Sequence, residues 1–314
     1  MSTGSNPLTR FLLPLDVEGA HARPVALMQC LAETLGQRIE KITLLHVMAG
    51  RYLSRHMANV DFRTTQIISS AKFKELRLTY VDKEIRPALE NVRRELADAG
   101  ISAPIDIVIE DGDPVDRIVK LAEEGEYSTL ILQRSDKSAV EEMFIGSVTS
   151  GIMHRDIKST IYLVGSGSLH SPIKSALVAL DNSDNARAAL EQAMVLAETA
   201  GREFEKMILV HVMDAAECSV ALANGSEPEK PDSSLLDKAE TLLLAKGFGS
   251  GQIIRRLTFG DPADVLVQEV TDQKPEFVFM GRRGRSALKE LFMGSVSSKV
   301  ISRCTGPTIT LVSA

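Results

Sequence analysis

The sequence predicts an α/β protein built from two tandem doubly wound halves, each a parallel sheet with helices on both faces. Three observations carry that prediction. The chain repeats itself, each repeat alternates short apolar runs with longer amphipathic ones, and its 314 residues suffice for about two domains of ordinary size. Strands that are continuously rich in Val, Ile and Leu point to a sheet covered on both faces.

The repeat is read from four matches. Residues 37–48, QRIEKITLLHVM, match 202–213, REFEKMILVHVM, at six of twelve positions. Gly112-Asp113-Pro114 recurs as Gly260-Asp261-Pro262, and Phe144-Ile145-Gly146-Ser147-Val148 as Phe292-Met293-Gly294-Ser295-Val296. Residues 160–164, TIYLV, recur as TITLV at 308–312. The early match is offset by 165 residues and the later ones by 148, so the first copy holds 17 extra residues before its Gly-Asp-Pro turn. The halves are expected at 1–165 and 172–314, with the seam in Gly165-Ser166-Gly167-Ser168.

In the second copy the strands are expected at 174–180, 206–212, 252–258, 276–281 and 307–312, with helices over 184–200, 232–247, 262–272 and 294–303. Asp261 before Pro262, and Asp113 before Pro114, read as an N-cap followed by the first helical residue. The insertion in the first copy falls within about residues 50–70 and is expected to add a helix. Pro87 should start or kink the next helix, which ends near Gly100. Asn224 to Pro231 is polar, contains Gly and Pro, and reads as a loop.

Composition excludes several classes. Hydrophobic residues are 44% and charged residues 25%, ordinary for a chain with a full core. No apolar run approaches the ~18–20 residues that span a bilayer, so no membrane insertion is expected. Met1 to Pro7 lacks the basic and apolar segments of a signal peptide, and the expected location is the cytoplasm. A net charge of −6 argues against a nucleic-acid surface. Cys30, Cys218 and Cys304 are widely spaced and read as reduced, structural thiols.

Chemistry concentrates in residues 281–295, GRRGRSALKELFMGS, directly after the apolar run Phe277-Val278-Phe279-Met280. Gly281 and Gly284 at a strand end allow close backbone approach to a ligand. Gly294 and Ser295 open a helix, whose unpaired N–H groups and positive dipole end favour phosphate. Ser295 and Ser297 add hydroxyls, and Arg282, Arg283 and Arg285 add positive charge. Asp181, at the end of the half's first strand, should face the same crevice, because ligands of doubly wound sheets lie where the strand order reverses. There it could meet a ribose hydroxyl or an adenine amine; taken alone, it reads first as a cap or brace of its strand end. His46 and His211 occupy equivalent strand positions and read as structural.

The arrangement Gly281-x2-Gly284-x9-Gly294-Ser295, in its strand–loop–helix setting, resembles the nucleotide motif of ATP-binding universal stress proteins. The likeness extends to the first-strand LVALD (177–181) and the second-strand LVHV (209–212), and to both halves. It implies a five-stranded parallel sheet per half, of the adenine nucleotide alpha hydrolase-like kind. It further implies that Asp181 binds the adenosine part and that Val212 meets adenine through its backbone. Met280 and Gly281 would line the adenine side, while Gly284, Gly294, Ser295 and Val296 would hold ribose and phosphates. The first copy departs from this pattern, with Gln133 in place of Gly281 and Asp136 in place of Gly284, so weak or absent ATP binding is expected there.

The resemblance also implies pairing of last strands edge to edge, here 160–164 with 308–312 inside one chain, as a pseudo-dimer; a homodimer of whole chains stays open. The expected ligand is ATP, with AMP or ADP as alternatives and Mg2+ as a companion of ATP. The leading expectation is a regulatory stress-response protein whose nucleotide biases contact with an unidentified protein partner. Two rivals stand beside it: a slow ATPase or phosphoryl- or nucleotidyl-transfer enzyme, and a scaffold or chaperone-like protein with a vestigial loop. No GxxxxGK[ST] loop, nucleophile elbow or obvious carboxylate pair for Mg2+ is found in the sequence.

Overall fold

A computed structural model describes residues 8–17, 21–49, 71–134, 145–214, 233–284 and 293–314. The apolar runs form strands β1 (Arg10–Pro14), β2 (Lys41–Met48), β3 (Ile105–Asp111), β4 (Thr129–Leu132) and β5 (Thr160–Leu163) in the first half. The second half supplies β6 (Ser175–Leu180), β7 (Lys206–Asp214), β8 (Ile253–Gly260), β9 (Phe277–Gly281) and β10 (Thr308–Val312). All ten join one sheet in the order β3-β2-β1-β4-β5-β10-β9-β6-β7-β8. Within each half every pairing is parallel. The halves meet where β5 and β10 pair antiparallel, with Ile309 opposite Leu163, Thr310 opposite Tyr162 and Leu311 opposite Ile161. Two apolar edges that would otherwise invite foreign strands therefore cover each other.

Helices flank the sheet on both faces: α1 (Ala22–Leu35), α2 (Ala71–Tyr80), α3 (Arg86–Asp98), α4 (Pro114–Glu124) and α5 (Ser147–Met153), then α6 (Asp184–Ala200), α7 (Ser234–Ala245), α8 (Pro262–Gln273) and α9 (Ser295–Arg303). Each Gly-Asp-Pro turn works by the same division of labour. Gly112 and Gly260 take φ of 136° and 145°, backbone that a side chain resists. Asp113 accepts the Asp116 N–H at 3.1 Å, and Asp261 accepts those of Ala263 and Asp264 at 3.0 and 3.1 Å. Proline then opens the helix, where its missing N–H costs nothing. Between α2 and α3 lies a π-helical turn, Val81–Ile85. Pro87 follows it near the start of α3 and cannot donate to a carbonyl one turn back, which places the irregularity there. The helix expected within 50–70 and the loop at 224–231 lie outside the described residues.

Side-chain alternation along the strands builds one apolar layer on each face. On one face Phe11, Leu44, Tyr162, Val178 and Phe279 pack with α1, α3 and α6; on the other Leu12, Leu45, Ile161, Leu177 and Leu311 pack with α4, α5, α8 and α9. Both layers run through the β5–β10 seam without a break, and Tyr162 sets its ring edge against Phe277 and Phe279 of the other half. The seam linker is held as well. Gly165 packs so closely on Gly306 and Pro307 that a Cβ would lie 2.2 Å from their oxygens. Gly167 N–H donates to Gly306 O at 2.7 Å, and Arg23 Nη1 donates to Gly165 O at 2.9 Å.

Candidate functional site

In the second half the chain leaves β6 toward β7 and β8 on one side, then returns to β9 and β10 on the other. The switch point of the winding is therefore the gap between β6 and β9, and the carboxyl ends of both strands open onto it. Asp181 follows β6, Gly281 ends β9, and Val212 lies on β7 one residue past His211, the register partner of Leu180. Met280 is buried in the sheet beside Leu311, and Gly281 pairs with Val312.

Asp181 and Gly284 face each other across this gap. A Cβ added to Gly284 would lie 2.6 Å from Asp181 Oδ2. The other carboxylate oxygen, Oδ1, accepts from Ser183 N–H at 3.1 Å and from its hydroxyl at 2.5 Å. Asp181 thus braces the turn into α6, where Asn182 takes the left-handed conformation at φ 60° and Ser183 caps the helix by accepting from Ala186 N–H at 3.1 Å. Gly281 is required by packing, since a Cβ there would meet Asn185 Cβ at 2.8 Å and Arg283 O at 3.0 Å. Asn185 fixes the loop further. Its Nδ2 donates to Arg283 O at 2.9 Å, and its Oδ1 accepts from Ala314 N–H at 2.8 Å.

Gly294 is the N-cap of α9 in extended backbone, φ −76° and ψ 154°, and provides no side-chain cap. Its own N–H donates to Arg282 O at 2.9 Å. Ser295 is exposed at the first helical position and Val296 is half-buried. The start of the helix thus lies against Arg282 and Arg283 of the loop that ends at Gly284, and a helix N-terminus of this kind is suited to an anion.

Two sequence-based expectations are corrected. Arg282 does not project toward the crevice: it is 2% exposed and crosses into the first half. Its Nη1 donates to Ile157 O at 3.2 Å and its Nη2 to Met153 O at 2.6 Å, Ile152 O at 3.5 Å and Arg155 O. Burial lowers its pKa to about 10, so it remains a cation at neutral pH, balanced by carbonyls at the negative end of α5. Ser297 is buried as well, and its hydroxyl donates to Arg282 O at 3.0 Å and to Gly294 O at 3.2 Å. It holds the loop instead of offering itself to a ligand. Arg283 lies 3.8 Å from Asp156 and is about one-third exposed, and Arg285 lies outside the described residues.

Sequence reasoning missed Asn185, which no local pattern marks, and the crossing role of the arginines. For the latter the repeat held a signal, because Arg134 stands 148 residues before Arg282 even though its neighbour Gln133 replaces a glycine. Arg134 makes the mirror-image crossing, donating to Ile301 O at 2.8 Å and Cys304 O at 2.9 Å at the end of α9. In the first half Gly146 enters α5 at φ 90°, unlike Gly294, and Thr149 Oγ1 donates to Gln133 O at 2.8 Å. Asp136 lies outside the described residues.

His46 and His211 are both engaged by the backbone at the end of the neighbouring strand. His46 Nδ1 donates to Leu15 O at 2.9 Å and His211 Nδ1 to Leu180 O at 2.8 Å, each tying the first two strands of its half together. Burial pushes the Cys30 thiol up to about 12, helped by Glu276 and Glu33, and raises that of Cys304, which leaves both protonated at neutral pH. Among the described residues no cluster of His, Cys, Asp or Glu could hold a metal ion, and no helix is long and apolar enough to cross a membrane.

Two doubly wound halves fused edge to edge, with Gly281 and Gly284 at the switch point of the second, define a tandem α/β protein. A sequence model of the universal stress protein family matches residues 8–155 and again 172–311. The chain belongs to the universal stress protein family. Universal stress protein YxiE of Bacillus subtilis is 28% identical over 146 residues, 42% of this chain and 95% of that protein. Universal stress protein MJ0577 of Methanocaldococcus jannaschii is 27% identical over 126 residues, 40% of this chain and 76% of that protein. The solved structure of a universal stress protein from Archaeoglobus fulgidus has the same fold, with a TM-score of 0.68 at 21% identity over 98% of this chain and 97% of that one.

Proposed function

We propose that the protein is a cytoplasmic regulatory member of its family that binds ATP in the half spanning 172–314, and that the half spanning 1–165 binds it weakly or not at all. The observation that carries this reading is the close approach of Gly284 to Asp181 in a loop whose Arg282 carbonyl accepts the N–H of Gly294, the N-cap of α9. A glycine facing a carboxylate, joined through a short loop to a helix N-terminus, would suit a ligand with both hydroxyls and phosphates. Asp181 would take the adenosine end, with Val212, Met280 and Gly281 on the adenine side. Gly284, Gly294, Ser295 and Val296 would hold ribose and phosphates. Mg2+ would arrive with ATP on its phosphates.

The ligand acts as a switch only through a difference in affinity between two states. The partner reading it would be another protein, met by a chain in which the β5–β10 seam makes an internal pseudo-dimer. A second reading, the nucleotide-independent scaffold, is favoured by one specific observation: Gly281 and Ser297 are already accounted for by contacts within the chain.

The test is to purify the protein without added nucleotide, denature it, and identify any released small molecule by chromatography and mass spectrometry. Calorimetric titration with ATP, ADP and AMP follows, with Gly284→Asp as control. One adenine nucleotide per chain, lost in the variant, is the expected result. A folded protein that releases none and gives no heat of binding would favour the scaffold.

A further inference from the structure

The crossed arginines do more than join the halves. Arg282 lies inside the candidate phosphate-binding loop, and its main chain is the hub of that loop. Its N–H donates to Val312 O at 2.9 Å, and its carbonyl accepts from Gly294 N–H at 2.9 Å and from Ser297 Oγ at 3.0 Å. The same residue's side chain is anchored on the end of α5 and the turn that follows it, 125 to 130 residues away in sequence. The height of the α9 N-terminus above the end of β9 is therefore set by a residue whose guanidinium sits in the other half. Arg134 makes the reciprocal crossing to α9, but the hydroxyl that would bind its carbonyl, Thr149 Oγ1, binds Gln133 O instead. Loop and crossing share one residue in the second half and are offset by one in the first.

We infer that Arg282 is a positioning residue: by docking on the C-terminal carbonyls of α5 it holds the loop Gly281–Gly284 and the start of α9 in the arrangement that receives phosphate. Nucleotide affinity in the second half then depends on the first half, although no first-half residue need touch the ligand. The inference rests on the ATP-binding reading for its consequence, while the positioning itself is a property of the ligand-free chain.

Two measurements on the full chain separate these. Amide hydrogen exchange without nucleotide, on Arg282→Ala, should show faster exchange over 281–284 and 294–297 and little change around 145–149. Arg134→Ala, which removes the mirror anchor, should leave 281–284 slow. Calorimetry with ATP should then find affinity reduced by about tenfold or more in Arg282→Ala, partly restored in Arg282→Lys, and little altered in Arg134→Ala. Unchanged exchange over 281–284 and 294–297 in Arg282→Ala would overturn the inference. So would equal loosening of both loops by either variant, which would make the arginines simple fasteners between halves. A wild-type chain that binds no ATP would remove the nucleotide reading and leave exchange to decide the positioning. Arg282→Lys, with one cationic donor group, keeps the test usable where Arg282→Ala fails to fold.

Discussion

At the scale of single residues, the site depends on what a side chain would displace. Gly284 is exposed and the atom its Cβ would meet is a side-chain end, Asp181 Oδ2, and no backbone, so Gly284→Ala should alter stability by less than about 1 kcal/mol. The added methyl must nevertheless push the carboxylate from its place. ATP affinity measured by calorimetry should fall by about tenfold or more while the thermal melt stays close to wild type. A melt that collapses would make Gly284 a packing residue; unchanged affinity would remove Asp181 and Gly284 from the site. Gly281→Ala is a different case, because its Cβ would strike Asn185 Cβ and Arg283 O in a packed loop, and it should lose stability and binding together. The charge of the GRRGR run was legible in sequence, but its direction was not. A buried arginine and a solvated one read alike until both halves are folded, since the carbonyls that receive Arg282 belong to the end of α5 and the turn after it, in the other half.

At the scale of elements, most of the second half was legible. Its strands lie within two residues of the expected limits, because continuous Val/Ile/Leu runs between glycine turns leave little freedom in a parallel sheet. The caps were equally readable, and they can be tested in pairs. Asp261→Ala should cost about 1 kcal/mol, with a similar loss for Asp113→Ala in the first half, both measured by chemical denaturation. The Asp264 backbone N–H, followed by Lys299, holds the Asp261 carboxyl below its usual range. Its folded value lies below the unfolded one of about 3.9, so the contribution is present above that pH and fades as pH drops through the folded value. The gap between wild type and Asp261→Ala should narrow below about pH 4; a gap constant to pH 3 would assign the cap no electrostatic part. What the sequence did not reveal was the π-helical turn at Val81–Ile85, because the matching stretch of the second copy, 229–233 at the offset of 148, overlaps the segment read as a loop and gives no helical guide.

At the scale of the molecule, the halves are separable in sequence but not in packing. Both apolar layers pass through the β5–β10 seam, Tyr162 packs on Phe277 and Phe279, and Arg134 and Arg282 exchange places across it. The full chain should therefore melt in one cooperative calorimetric transition, with van't Hoff and calorimetric enthalpies in agreement. Two resolved transitions would show that the seam is weaker than the cores it joins. That covalent seam also changes what a mutation means. In a pair of identical subunits every substitution appears twice, and a damaged site is damaged in both partners. Here one gene encodes both sides of the junction, so glutamine and aspartate can replace glycine at 133 and 136 while glycine persists at 281 and 284. A single chain carrying both halves lets one loop differ from the other, and a substitution on one side of the seam leaves the other side as it was.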